Sequence, residues 1–260
     1  MALIPLYDTN PLRYIRHAYV TWALLAANVI VFFFVEHGGL TGSDQLSAVT
    51  YGVIPAVFDR LGDRPEDLAF VPDSLTLLTY AFFHGDFWHL AGNMVFLWVF
   101  ADNVEDAMGH VRFLVFYCLC AIGGGYAYVL SAPDSPAPLI GASGAIAGIV
   151  AAYFILHPYA KVWILLFGRI PLRLSAFWVL GFWIVFQVFT AFAGTGDNRV
   201  AWWTHVGGLV TGAVLVLFLR RRGTVLFSGA DPGAPITVAP PPPSPTPAQP
   251  PDIDGPWSRR

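Results

Sequence analysis

Gly141-Ala142-Ser143-Gly144-Ala145-Ile146-Ala147-Gly148-Ile149-Val150 opens a hydrophobic helix, yet it carries a hydroxyl where a lipid-buried segment should be purely apolar. The helical stretch runs only to His157, where Pro158 follows. About 15 residues at roughly 1.5 Å each fall short of a hydrocarbon layer about 30 Å thick. Ahead of it lies Ser131-Ala132-Pro133-Asp134-Ser135-Pro136-Ala137-Pro138, which is unsuited to regular helix. The loop is therefore expected to descend into the protein, with the helix starting below the membrane surface. Irregular backbone at that depth is tolerated only inside protein or beside a water-filled cavity. Further along, Trp202-Trp203-Thr204-His205-Val206-Gly207-Gly208 places a histidine in another apolar segment. Ionisable groups in such segments are costly and usually functional.

Composition agrees with a membrane setting. Of 260 residues, 56% are hydrophobic and 12% charged, too few charges for a soluble domain of this length. The net charge of −3 gives no reason to expect a nucleic-acid partner. The first residues lack a basic region followed by an apolar core and a small-residue cleavage site. No removable signal peptide is expected, and the first apolar segment should direct insertion. Cys118 and Cys120 lie two positions apart on one helix and point to different sides, which disfavours a disulfide.

Six apolar segments stand out, at 20–35, 87–101, 112–130, 143–157, 176–192 and 201–219. They predict an all-α, six-transmembrane-helix bundle. The loop 36–75 is long and acidic, with an apolar piece, Tyr51-Gly52-Val53-Ile54-Pro55, expected to dip into the membrane interface. Arg13, Arg16, Arg112, Lys161, Arg169, Arg173 and Arg220-Arg221-Arg222 fall on one side of this arrangement. The other side receives only Arg60, Arg64 and Arg199. By the positive-inside rule, both termini are cytoplasmic. The expected organisation is a cytoplasmic segment 1–19, a membrane domain 20–222 and a tail 223–260. The run Pro240-Pro241-Pro242-Pro243-Ser244-Pro245 makes the tail disordered or polyproline II, and a proline-binding partner would fit it.

Ser143 falls in the first turn of its helix, where backbone N–H groups lack intrahelical partners and the dipole is positive. Such a place suits a developing oxyanion. Its small neighbours have a plainer reading as close helix packing. His205, Gly208 and Gly212 share a helical face, so the glycines would let this helix press on the glycine-bearing segment around Ser143. His84, His89 and Asn93 cluster at the start of the second segment. His89 and Asn93 are four apart, on one face, and both can donate hydrogen bonds. They suit either an oxyanion site or polar contacts between helices. No HExxH-type spacing accompanies these histidines, so neither a metal nor any other cofactor is expected.

Taken together, these motifs resemble the rhomboid intramembrane serine proteases. Phe83-His84-Gly85-Asp86 through His89 and Asn93-Met94 is similar to the family's second-helix signature. Glu105 and Gly109 look like the turn after it. Gly141-Ala142-Ser143-Gly144 is similar to the nucleophile motif, and Ala201-Trp202-Trp203-Thr204-His205-Val206-Gly207-Gly208 to the histidine motif. The resemblance implies a dyad, with Ser143 as nucleophile and His205 as general base and then acid. It also implies an oxyanion site of His89, Asn93 and the Ser143 N–H, with His84 in a supporting role at the pocket rim. It implies transmembrane proteins as substrates, the lipid bilayer as surroundings and a plasma-membrane address. The alternative is a catalytically weak or inactive relative that binds membrane clients; the presence of Ser143 and His205 argues against it. Two positions depart from the family pattern. Ala147 stands where an aromatic usually packs on the imidazole, so that Phe82, Trp202 or another ring would have to substitute. Asp73-Ser74-Leu75-Thr76 replaces a Trp-Arg pair in the long loop.

Overall fold

The computed structural model describes residues 3–37, 44–58, 61–194 and 199–228. The proline-rich run of the predicted tail lies outside them. The elements, in chain order, begin with β1 (Leu3–Asp8) and α1 (Tyr19–Ile30), whose last part widens to a π-helical stretch (Val31–Glu36). The connecting loop holds α2 (Asp44–Tyr51), α3 (Pro55–Phe58) and α4 (Asp73–Thr79). Next come α5 (Phe87–Met108), α6 (His110–Ser131) and α7 (Ser143–Leu156). A hairpin of β2 (Lys161–Leu166) and β3 (Ile170–Ser175) leads to α8 (Ala176–Ala193) and α9 (Arg199–Leu219).

Each of the six apolar segments is helical. Among the described residues, four helical stretches are long and apolar enough to cross a membrane: Tyr19–Glu36, His110–Ser131, Ala176–Ala193 and Trp202–Leu219. The other two differ in kind. α5 ends in Asp102, Glu105 and Asp106, and α7 has only 14 residues. α7 is buried along nearly its whole length, so protein rather than lipid surrounds it.

The expectation of a wholly α chain is corrected by a three-stranded antiparallel sheet, β1-β2-β3. Val162 and Ile164 alternate into the core while Trp163 turns outward and stacks on Tyr7. That is the two-residue period of a half-buried strand. Phe167 and Gly168, both with positive φ, turn the hairpin. The apolar residues of β2 belong to the packed core rather than to a plain loop between helices.

Two polar knots hold the ends of the bundle. At the first, fully buried Glu105 accepts hydrogen bonds from the Val20 and Thr21 N–H groups (3.0 and 2.8 Å) and from the Thr21 hydroxyl (2.7 Å). A carboxylate thereby caps the start of α1, where helix N–H groups lack partners. Asp106 next to it accepts from the backbone N–H groups of Arg13, Tyr14 and Ile15. Gly109, at φ +84°, makes the turn into α6, with the Arg221 guanidinium 2.7 Å from where a Cβ would sit.

The second knot is in the long loop. The buried Arg64 side chain donates to the carbonyls of Val49, Thr50 (2.9 Å) and Gly52 (3.2 Å), and pairs with Asp73 at 3.3 Å. These carbonyls are the orphan acceptors at the end of α2, the natural place for a cation. Arg64 thus organises the loop that leads to Asp73-Ser74-Leu75-Thr76. The neighbouring stretch 51–55 packs against the rest of the protein. Val53 is fully buried and bridges Leu139 through N–H···O bonds of 3.1 and 2.8 Å. Pairing with the loop ahead of α7 satisfies its backbone groups.

Candidate active site

Asp86 starts α5, its carboxylate accepting from the Trp88 and His89 N–H groups at 2.7 and 2.9 Å. That cap sets the phase of the helix, so His89 and Asn93 face inward on one side. Both converge on Gly141, whose φ of +122° places it in the region that favours glycine. A Cβ at Gly141 would stand 2.7 and 2.8 Å from His89 Cε1 and Nε2, and 3.8 Å from Asn93 Nδ2. The glycine therefore serves both backbone shape and room for the imidazole. Its own N–H donates to the Tyr80 carbonyl at 2.9 Å, fixing the approach to α7. Asn93 Nδ2 is buried and without a hydrogen-bond partner among the described residues.

His84 is fully buried just ahead of α5, its ring edge-on to His89 with centroids 5.2 Å apart. Its backbone N–H donates to the Glu36 carboxylate at 2.9 and 3.2 Å, tying the end of the first helix to this corner. His84 therefore packs against His89 as a fully buried neighbour.

Ser143 is the first residue of α7 and His205 lies in α9. Their side chains meet, Ser143 Oγ to His205 Nε2, at 2.9 Å. Glycines make the approach possible. A Cβ at Gly208 would stand 2.9 Å from the Gly144 carbonyl carbon, and one at Gly212 would stand 2.7 Å from that of Gly148. Gly148 also rests against Cys120 of α6.

Two side chains of α8, unmarked in the sequence reading, complete the surroundings of His205. Gln187 Oε1 lies 2.8 Å from His205 Nδ1. The Trp183 ring is 6.1 Å from the imidazole, and Trp202 of α9 stands edge-on at 5.8 Å. Trp183 also packs on the cluster of Ala147, Ala151 and Leu209. It fills the space left by the small residue at 147. Trp202 fits the expected substitution, whereas Phe82 packs near Tyr117 instead. A glutamine in the middle of Phe186-Gln187-Val188 was the available signal, since polar side chains inside apolar helices are seldom idle.

The arrangement can do acid–base chemistry on a hydroxyl. An imidazole that donates through Nδ1 to a carbonyl oxygen presents a lone pair at Nε2. That lone pair faces the Ser143 hydroxyl, at the start of a helix whose first N–H groups lack intrahelical partners.

Polar groups thus converge at the head of a short buried helix. The Rhomboid domain family model matches residues 72–222, and the chain belongs to that family. The match covers α4 to α9 and includes Ser143, His205, His84, His89, Asn93, Trp183 and Gln187. Rhomboid protein 1, mitochondrial, of Saccharomyces cerevisiae is 28% identical over 161 residues, 58% of this chain and 44% of that protein. RHOMBOID-like protein 12, mitochondrial, of Arabidopsis thaliana is 27% identical over 162 residues, 56% of this chain and 46% of that protein. The Rhomboid protease GluP of Bacillus subtilis is 33% identical over 133 residues, 51% of this chain and 23% of that protein. The chain thus aligns with less than half the length of each of these relatives.

The plasma-membrane address is corrected by these relatives, two of which are named mitochondrial. The error has a physical origin. Hydropathy and cation asymmetry report a bilayer and its sidedness, not which membrane of the cell it is.

Proposed function

We propose that this chain is an intramembrane serine protease that hydrolyses peptide bonds in or beside transmembrane segments of membrane proteins. The observation that carries this reading is the 2.9 Å contact between Ser143 Oγ and His205 Nε2. It lies at the head of a helix shielded from lipid, where an unassisted serine would be a poor nucleophile. In this scheme Ser143 Oγ attacks the scissile carbonyl while its proton passes to His205 Nε2. The resulting oxyanion accepts hydrogen bonds from the Ser143 N–H, His89 and Asn93, in a setting where preorganised donors count most. Collapse breaks the C–N bond, and His205 returns the proton to the departing amine. Water then adds to the acyl-enzyme by the same steps and releases Ser143. His84, packed against His89, holds that donor in place.

The membrane domain comprises residues 20–222, with all six helices embedded and α7 enclosed by α5, α6, α8 and α9. The sheet strand β1 belongs to the 1–19 segment. Residues 223–260 form the tail, and its first part is anchored. The Phe227 and Ser228 N–H groups donate to the Ile155 and Leu156 carbonyls at 2.8 and 2.9 Å, capping the end of α7.

Fluorophosphonate labelling of the protein in detergent tests the assignment. The adduct is expected on Ser143, absent in Ser143→Ala and strongly reduced in His205→Ala. Cleavage of a transmembrane substrate in proteoliposomes is expected to disappear in both. An adduct on another residue that persists undiminished in Ser143→Ala overturns the reading.

A further inference from the structure

We infer that Gln187 is a positioning residue for the reaction, holding His205 in the tautomer and orientation that let Nε2 act as base. The inference rests on the protease reading above and extends the serine–histidine pair to a relay of three side chains on three helices, α7, α9 and α8.

The geometry is specific. Gln187 is 5% exposed, and its Oε1 sits 2.8 Å from His205 Nδ1 while Nε2 sits 2.9 Å from Ser143 Oγ. A neutral imidazole has one N–H and one lone pair, so the partner of Nδ1 decides what Nε2 offers. With an amide oxygen as that partner, the proton resides on Nδ1 and the lone pair points at the serine. The opposite tautomer would aim an N–H at the serine oxygen and leave the hydroxyl without a base. Loss of a tautomer-setting partner is damaging in other serine hydrolases, where an asparagine in place of the buried aspartate costs about 10⁴ in turnover.

The choice of an amide rather than a carboxylate follows from the surroundings. A buried carboxylate must be desolvated, and next to a neutral imidazole in an apolar helix it has no countercharge. A glutamine oxygen costs less to bury and still accepts from Nδ1–H both before and after Nε2 takes the serine proton. The imidazolium formed in the transition state is thereby stabilised, though less than by a full negative charge. The side chain is also confined. Trp183, one helical turn before Gln187 on α8, lies 6.1 Å from the same imidazole at a 38° tilt, so ring and amide confine the imidazole from the same helix. Thr190 follows one turn later, its hydroxyl donating to the Phe186 and Gln187 carbonyls at 2.7 and 3.0 Å. It occupies the backbone acceptors without competing for Oε1. His89 is the titratable neighbour of His205 across the site. Among the described residues no carboxylate is hydrogen-bonded to His205.

The test compares Gln187→Leu and Gln187→Glu with the parent on a transmembrane substrate in proteoliposomes, following kcat, KM and their pH profiles. Gln187→Leu is expected to lower kcat about 10- to 100-fold with KM within about twofold, and to slow fluorophosphonate labelling of Ser143 in parallel. Gln187→Glu is expected to recover much of that kcat and move the acidic limb of the kcat/KM profile upward. A carboxylate on Nδ1 favours the protonated imidazole. A role in packing alone would leave the position of that limb unchanged. Thermal unfolding in detergent is measured alongside, and should Gln187→Leu fail to fold, Gln187→Glu and Gln187→Asn carry the comparison through their pH profiles. Unchanged kcat in a folded Gln187→Leu, or an acidic limb that stays put in Gln187→Glu, overturns the inference. Activity surviving in His205→Ala would instead overturn the protease reading itself, so the two failures are told apart.

Discussion

The two helices that carry Ser143 and His205 and the helix that brings Gln187 to them are attached in opposite ways. α7 and α9 meet backbone to backbone, Gly208 against Gly144 and Gly212 against Gly148, with no room for a single methyl group. α8 touches them through side chains, and its one interior glycine, Gly181, leaves ordinary contact distance to Phe154. Much of its surface faces outward, including Phe182, Val185, Phe189 and Phe192, each about two-thirds exposed or more. Close backbone packing is how helices associate where no water drives them together. It makes the Ser143–His205 distance a property of the core. The tautomer and tilt of the imidazole depend on a peripheral helix, through Gln187 and Trp183. Position and orientation are thus set by different parts of the molecule, and changes at each should fail differently.

The sharpest way to break the comparison is Gly208→Ala. The added Cβ would stand 2.9 Å from the Gly144 carbonyl carbon and closer to its oxygen, so α7 and α9 must part. Displacing a reacting pair by about 1 Å costs on the order of 10² in rate. Overpacking adds about 1–3 kcal/mol of destabilisation. Activity below about one-hundredth of the parent is expected, with a lowered unfolding temperature by fluorescence-detected size exclusion. Full activity would show that the glycine contact does not hold the dyad.

A smaller effect is expected from Ala147→Phe. Restoring an aromatic at 147 would help only if the space beside the imidazole were empty. Ala147 is fully buried and Trp183 packs on its cluster. A loss of roughly 1–3 kcal/mol in stability is expected, with a fall in kcat. Pairing it with Trp183→Ala should recover part of both, because one ring then takes the other's place. Undiminished activity in Ala147→Phe alone would mean that Trp183 yields easily and that α8 orients His205 only loosely.

The gentlest probe sits at the other end of α7. The Tyr153 hydroxyl donates to the Asp8 carboxylate of β1, linking the sheet to the helix that carries Ser143. Burial lifts the Asp8 carboxyl from 3.8 to about 7, with nearby Asp102 adding repulsion and the Tyr153 hydrogen bond opposing the rise. The folded state therefore keeps this proton where the unfolded state has lost it. The contribution to stability is full below 3.8 and is lost as pH rises towards about 7. Over that window the unfolding temperature should fall, by roughly 2–4 °C for each kcal/mol involved. Asp8→Asn should flatten the slope. An unchanged slope in Asp8→Asn would place the pH dependence elsewhere.

Much of the dyad was legible because it departs from what lipid-buried sequence should contain. Ser143 opens a helix too short to span, and His205 lies on a glycine face that anticipated close packing with α7. The six helices followed from hydropathy, and the polar cluster at the head of α5 from His84, His89 and Asn93. Gln187 was passed over, since a single amide in Ala176–Ala193 does not stop that helix from being apolar enough to span. Its meaning comes only from the rotation of α8 towards His205. Trp183 was equally silent, as an aromatic in an apolar helix looks like surface for lipid. The sheet was missed because Val162 and Ile164 share their alternating pattern with only a few residues, and β1 pairs with them from the far end of the chain.

Local sequence therefore determined where helices form, which of them are apolar enough for a membrane, and which polar side chains stand out in apolar segments. These depend on hydropathy, caps and side-chain chemistry, each set by residues close together along the chain. The tertiary structure decided which partners those side chains meet. Only the docking of α7 on α9 brings Ser143 Oγ to His205 Nε2, and only the seating of α8 gives Nδ1 its acceptor. Such contacts join residues far apart in sequence, through helix rotations that depend on packing all the neighbours at once.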